Sequence, residues 1–138
     1  MKQISVFLEN RPGSLYEVLY KLKEWEVNLR ALSLADTAEF GVLRFIAEDP
    51  EEIVEKLKIE NFAATLTEVL AVGVEDRPGG LAEVVGILTH QNIPIEYLYA
   101  FVSPQGGKAY VVLRVEKLEE AEKVLREKHI PILEKITI

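Results

Sequence analysis

Three observations in the sequence predict an α+β fold built twice from the same unit. A ten-residue segment recurs, ENRPGSLYEV from Glu9 to Val18 and EDRPGGLAEV from Glu75 to Val84. Each copy stands where the hydrophobic period changes. Before it, Ile4, Val6 and Leu8, matched by Leu70, Val72 and Val74, alternate as a strand with one buried face does. After it, Leu15, Val18, Leu19 and Leu22, matched by Leu81, Val84, Val85 and Leu88, recur at helical spacing. The offset of 66 residues (75 − 9) runs through both patterns without a gap and is close to half of the 138-residue chain. An internal repeat of about 70 residues follows.

In chain order, the first unit opens with a strand over about 3–8, a hinge, and a helix over about 13–25. Pro12 and Pro78 lack an N–H and have φ preset, which suits the first turn of a helix, while Gly13 and Gly79 let another group approach the backbone. Asn10 and Asp76 stand just outside that turn, where free N–H groups and the positive end of the helix dipole can hold a small anionic group. The plainer alternative is that both side chains only organise the turn or cap the helix. Glu26, Val27 and Asn28 turn the chain into a strand over about 29–35, and a polar turn at 36–39 leads to a third strand over 40–47. Asp49, Pro50, Glu51 and Glu52 read as a helix start, with a cap residue, proline at the first position and acids in the first turn. That helix carries Ile53, Val54 and Leu57 inward and ends near Ile59, and a strand over about 62–68 closes the unit.

The second unit repeats this order, with a strand over 69–74, a helix over 79–91, strands over 95–102 and from about 108, a helix over 118–128 and a closing strand over 132–138. Its turn at 103–107 is longer, and Val112, Leu113 and Arg114 echo Val42, Leu43 and Arg44 with a shift of four. The expected domains are 1–68 and 69–138, joined without a Gly, Pro or Ser-rich linker, so the two are expected to pack together. Strand, helix, strand, strand, helix, strand is a ferredoxin-like, split βαβ plan, an antiparallel sheet with both helices on one face. The opposite face carries Ser5, Phe7, Ala71 and Gly73 with Tyr97, Tyr99 and Phe101, and so bare an apolar face asks for a cover. A homodimer through the sheet face is the expectation.

Composition narrows the function. A net charge of −7 and the absence of any Lys or Arg cluster oppose nucleic acid and anionic membranes. Up to Glu68 there are 8 basic and 13 acidic residues, and after it 8 and 10, so neither half is a basic arm. With no cysteine, disulfides, thiolate metal sites and a cysteine nucleophile are excluded. No apolar run of membrane-spanning length occurs, and a cytoplasmic location is expected. His90 and His129 stand apart from any carboxylate pair of ligand spacing, so no metal and no cofactor is expected. An enzyme on this plan, of the acylphosphatase kind, would need a phosphate-cradling loop; Arg11 and Arg77 lie in turns, but Glu9 and Glu75 beside them oppose an anion. Tyr97, Tyr99 and Phe101 imitate the base-stacking platform of an RNA-recognition module, yet the acidic balance favours buried core.

The repeated hinge and the element order resemble the ACT domain, a small-ligand regulatory module, and ENRPGSL resembles especially the regulatory domain of serine-inhibited phosphoglycerate dehydrogenases. The resemblance covers essentially the whole chain, twice, as in stand-alone tandem ACT proteins, and leaves no catalytic domain. It implies that an amino acid binds where two ACT units adjoin, between the hinge of one and the start of the second strand of its neighbour. Carried over, the ligand-binding positions are Asn10, Arg11, Pro12 and Gly13, their counterparts Asp76, Arg77, Pro78, Gly79 and Gly80, and Asn28 across the seam. Pro94 stands where Asn28 would recur and cannot donate a hydrogen bond, so two unequal sites are expected. A seam within the chain would set Asp76 against Asn28, whereas a seam between chains would set Asn10 against Asn28.

A free amino acid needs donors for its carboxylate and acceptors for its ammonium, and helix-end N–H groups, Asn28, Asn10 and Asp76 supply both kinds. The expected function is a non-catalytic sensor of an amino acid, with phenylalanine, leucine and serine equally compatible, acting on a metabolic enzyme partner. The alternative is a regulatory subunit of an amino-acid biosynthetic enzyme, similar to the small subunit of acetolactate synthase, working through protein contacts.

Overall fold

Each half of the chain lays its six elements out in the order read from the sequence. The computed structural model describes residues 1–36, 39–102 and 108–136 and divides into two units, one spanning Lys2–Thr67 and one running from Glu68 onward together with Met1. The first contains β1 (Lys2–Glu9), α1 (Ser14–Glu24), β2 (Ala31–Asp36), β3 (Phe40–Ile46), α2 (Pro50–Ile59) and β4 (Ala63–Glu68). The second contains β5 (Leu70–Glu75), α3 (Gly80–His90), β6 (Ile95–Val102), β7 (Lys108–Val115), α4 (Leu118–Glu127) and β8 (Ile132–Leu133). The sheets have the orders β2-β3-β1-β4 and β6-β7-β5-β8, the same arrangement twice, which is the ferredoxin-like plan.

Alternation along the strands sends one face of each sheet into its own core. Ile4, Val6 and Leu8 of β1 meet Leu43 and Phe45 of β3 beneath Val18 and Leu22 of α1 and Ile53 and Leu57 of α2. Leu70, Val72 and Val74 do the same with Val111, Leu113, Val84, Leu88, Ala121 and Leu125. All four helices end alike, with the third residue after the helix donating its N–H back five residues. Val27 bonds Leu22 O, Phe62 bonds Leu57 O, Ile93 bonds Leu88 O and Ile130 bonds Leu125 O, at 2.9–3.0 Å. Each time the residue before it, Glu26, Asn61, Asn92 or His129, takes a positive φ of 56–68° and the donor itself packs on the core. This closure satisfies orphan carbonyls and pins the chain as it leaves the helix.

Several details differ from the sequence reading. Ile4 pairs with Phe45 in the first sheet and Leu70 with Leu113 in the second. Since Ile4 and Leu70 are 66 apart, Phe45 and Leu113 are equivalents, and 113 − 45 gives 68. The third strand is displaced by two residues, not four, and the turn at 103–107 thought responsible lies outside the described residues. Val42-Leu43-Arg44 and Val112-Leu113-Arg114 are the same tripeptide, and matching it to itself gives the shift of four; both shifts are even and keep every side chain on its face, so alternation does not tell them apart. Among the described residues the closing strand is only Ile132–Leu133, paired with Val72 and Ala71, and does not continue through Ile136.

The sheet face expected to be bare is largely buried in the single chain: Ser5 is 5% exposed, Tyr99 8% and Ala71 0%. On the first sheet Phe7 (42%) and Phe40 (38%) stay open, edge to face at 5.7 Å. The apolar exposure on this face is greatest at that pair, with Tyr97, Phe101 and Tyr110 partly exposed on the second sheet.

Candidate functional site

The two hinges are built bond for bond alike. Arg11 N–H donates to Glu9 O and Arg77 N–H to Glu75 O, both at 2.9 Å; Ser14 and Gly80 donate to Arg11 O and Arg77 O at 3.3 and 3.0 Å. Glu17 N–H and Glu83 N–H close the first helical turns on Gly13 O and Gly79 O. Gly13 and Gly79 have φ of 93° and 85°, a left-handed conformation that glycine adopts at no steric cost. Nothing lies within 4 Å of where a Cβ would stand at either, so a ligand can reach this backbone.

Because a left-handed residue cannot belong to the helix, Gly13 and Gly79 are the N-cap residues, and Pro12 and Pro78 precede the helix instead of opening its first turn. Neither cap position carries a side-chain hydrogen bond, so Asn10 and Asp76 do not cap, and both are exposed. The N–H groups of Leu15 and Tyr16, and of Leu81 and Ala82, find no acceptor among the described residues. Each hinge therefore offers helix-end donors beside a free polar side chain.

The hinge arginines serve their own helices. Arg11 reaches Glu9 Oε2 at 3.1 Å and Glu17 at 3.2 and 3.3 Å, and Arg77 binds Glu83. Hydrogen bonds to Glu17 and Glu9, and to Glu83, raise the two guanidinium pKa values above the ordinary arginine range. Both guanidiniums are about half exposed and paired with acids of their own hinges and helices.

The hinges part company at one position. A Cβ on Gly80 would collide with the Glu75 carbonyl oxygen, whereas its counterpart Ser14 carries a side chain. Ser14 is only 7% exposed and its Oγ has no hydrogen-bond partner. Burying an unpaired hydroxyl costs about 1–3 kcal/mol. Ser14→Ala is therefore expected to raise stability by about 1 kcal/mol, seen as a higher urea midpoint at unchanged slope; a lower midpoint would mean the hydroxyl is bonded.

Asn28 lies elsewhere. The register sets Glu9 opposite Phe40 and Ala31 opposite Ile46, so Asn10 flanks one end of the first sheet and Asn28 the other. Phe40 to Ile46 spans about 20 Å at about 3.3 Å per residue. Asn10 and Asn28 of one unit are not brought together. The α1–β2 turn that carries Asn28 is fixed by the Val27 N–H bond to Leu22 O and the Arg30 N–H bond to Ile46 O, each 2.9 Å. Beside it lies a cavity of about 220 Å³ lined by Trp25, Asn28, Arg30, Asp49 and Lys56 among others.

The family model of the ACT domain pair matches residues 1–137. The chain belongs to the ACT domain pair family. That is a family of regulatory domains. A Bacteroides thetaiotaomicron protein of known crystal structure is 39% identical, covering 96% of this chain and 90% of its own, with a TM-score of 0.88. The regulatory subunits of aspartate kinase from Thermus thermophilus, ligand-free, and from Thermus flavus share the fold at 16% and 19% identity and TM-scores of 0.65. They cover 91% and 93% of this chain, and 91% and 90% of their own are covered. No curated protein matches the chain significantly.

In this ACT domain pair the sequence reading named both hinges and Asn28, but it missed Arg30, Glu48, Asp49 and Lys56 beside Asn28. The only signal for them was departure from the repeat, with Arg30 answered by Glu96 at the offset of 66 and Lys56 by Val124 at 68. Among the described residues no cluster of His, Cys, Asp and Glu could hold a metal, and no helix is long and apolar enough to cross a membrane.

Proposed function

We propose that this ACT domain pair is a non-catalytic sensor that binds a small ligand, an amino acid, on its hinges where one ACT unit adjoins another. Its supporting observation is a hinge made twice over, with an uncapped helix start, a glycine held left-handed, two N–H groups without acceptors, and Asn10 or Asp76 beside them. Acids outnumber the arginine at each hinge, Glu9 and Glu17 to Arg11 and Glu75, Asp76 and Glu83 to Arg77, which disfavours a phosphate and suits a zwitterion whose ammonium meets an acidic flank. Residues Asn10, Arg11, Pro12 and Gly13, residues Asp76, Arg77, Pro78, Gly79 and Gly80, and Asn28 of the adjoining unit would form the site. Pro94, in place of a second Asn28, would make one of two sites weak. Occupancy would pass on by favouring one packing of the units over another.

Thermal unfolding against each of the twenty amino acids tests this. A ligand that binds only the native state at about 100 times its Kd adds about 2.7 kcal/mol. One or a few amino acids should raise Tm, and Asn28→Ala, which either pairing of units employs, should remove the response and leave the unliganded Tm unchanged. No response to any amino acid would contradict the sensor and favour a regulatory subunit acting through protein contacts.

A further inference from the structure

The cavity beside Asn28 holds charges at Glu26, Arg30, Asp49 and Lys56 that the repeat does not preserve. Arg30 lines it with its side chain 18% exposed; Nε is buried without a hydrogen-bond partner, and Nη2 lies 3.7 Å from Glu48 Oε1, long for an ion pair. Nε and Nη2 together form the edge of a guanidinium that grips a carboxylate with two parallel bonds. One half of that grip is unfilled by protein and the other is loosely filled. Across the cavity stands the start of α2, where Asp49 occupies the N-cap position at φ 54° but makes no capping bond. Its carboxylate and that of Glu26, also in the lining, have no partner among the described residues, whereas Glu52 is taken by Lys56 at 3.5 Å and Lys56 lies 5.7 Å from the Trp25 ring centroid.

The second unit is an internal control. At the offset of 66, Trp25, Asn28 and Arg30 become Gln91, Pro94 and Glu96; at the offset of 68 fixed by the strand register, Asp49 and Lys56 become Lys117 and Val124. The core neighbours stay apolar, Val27 answering Ile93 and Ile53 answering Ala121. Glu96 is drawn off to Arg114 at 3.5 Å, where β6 carries an irregularity between Ile95 and Tyr97. Glu48 and Glu52 recur as Glu116 and Glu120, so the units diverge at Trp25, Asn28, Arg30, Asp49 and Lys56 and agree in those two acids and in the core beneath, as expected where one copy carries a site and the other does not.

We propose that this cavity of the first unit is a second binding site for a free α-amino acid, its carboxylate on the Nε and Nη2 edge of Arg30 and its ammonium on Asp49 and Glu26. The proposal rests on the reading of the chain as an amino-acid sensor, and the ligand displaces Glu48 from Arg30. A cavity of about 220 Å³ admits a small amino acid.

Nitrogen-15 NMR of the full chain tests it, because the buried Arg30 Nε–H gives its own slowly exchanging signal. Each of the twenty L-amino acids is added in turn, with succinate and 1,4-diaminobutane as ligands lacking the ammonium or the carboxylate. At least one amino acid should move the Arg30 Nε–H signal saturably, while succinate and the diamine at equal concentration do not. Arg30→Met should weaken that titration tenfold or more, followed at the Asp49 and Asn28 amides, and Asp49→Asn should weaken it less; Asn10→Ala and Asp76→Ala should leave it intact. An amino acid that binds yet leaves Arg30 Nε–H unmoved, or that loses affinity only in the Asn10 and Asp76 variants, overturns the cavity site and leaves the sensor standing. Equal movement by succinate overturns the zwitterion as ligand class. Binding of no amino acid to the wild type overturns both the cavity site and the sensor.

Discussion

Gly80→Ala is expected to destabilise the second unit by about 1–3 kcal/mol, the usual cost of forcing a methyl into filled space. Gly80 does not need its glycine for backbone freedom, since its φ is not in the left-handed region. Space is the constraint: the nearest heavy atoms to a Cβ all belong to the Glu75 main chain, which β5 holds against β7 and which cannot swing aside as a side chain would. Relief requires the hinge to open. At about 4–8 °C per kcal/mol for a unit of this size, the loss is readily seen by calorimetry. Gly86→Ala supplies the contrast. It lies inside α3 with nothing within 4 Å of a new Cβ, and exchanging a helical glycine for alanine should stabilise by about 0.5–1 kcal/mol. Equal losses at both positions would mean that helix geometry, not the Glu75 carbonyl, sets the cost.

Phe45→Ala should cost more, about 3–5 kcal/mol. Phe45 is the largest of the fully buried side chains and lies on β3 between β1 and β2, paired with Ile4 on one side and Leu32 on the other. The hole it leaves is walled by strands and helices of the first core and has little means of collapse. Against a total of about 5–15 kcal/mol for a small domain, such a loss brings the first unit close to unfolding. Leu113 is its equivalent by register, so Leu113→Ala should cost about 2–5 kcal/mol in the second unit. Urea unfolding followed by Trp25 fluorescence, which reports on the first unit alone, should separate the two, Phe45→Ala moving the Trp25 midpoint strongly. A small effect at Leu113 beside a large one at Val115 would favour the shift of four over the shift of two.

Much of this was legible in the sequence. The period change at each hinge placed β1, α1, β5 and α3 within one or two residues, and the doubled segment fixed the unit count and the plan. The hinge's polar character was also visible, but its geometry was not. That Pro12 precedes the helix follows from Gly13 taking φ 93°, and glycine in sequence announces freedom without saying how it is spent. The third-strand shift differs because the tripeptide Val-Leu-Arg recurs by composition two residues away from its structural equivalent, an even offset that alternation cannot expose, and only pairing with β1 and β5 decides between shifts. The cavity residues escaped notice for another reason. Arg30 and Asp49 are 19 apart in sequence and meet only once β2 and β3 pair, so no local motif announces them.

The measurement closest to the central claim is the set of backbone amide signals that move first as an amino acid is titrated into the whole chain. If a hinge receives the ligand's carboxylate, the N–H signals of Leu15 and Tyr16, or of Leu81 and Ala82, should shift earliest and furthest, with Asn28 moving alongside. Binding that leaves all four of those amides in place would contradict the hinge as the binding element.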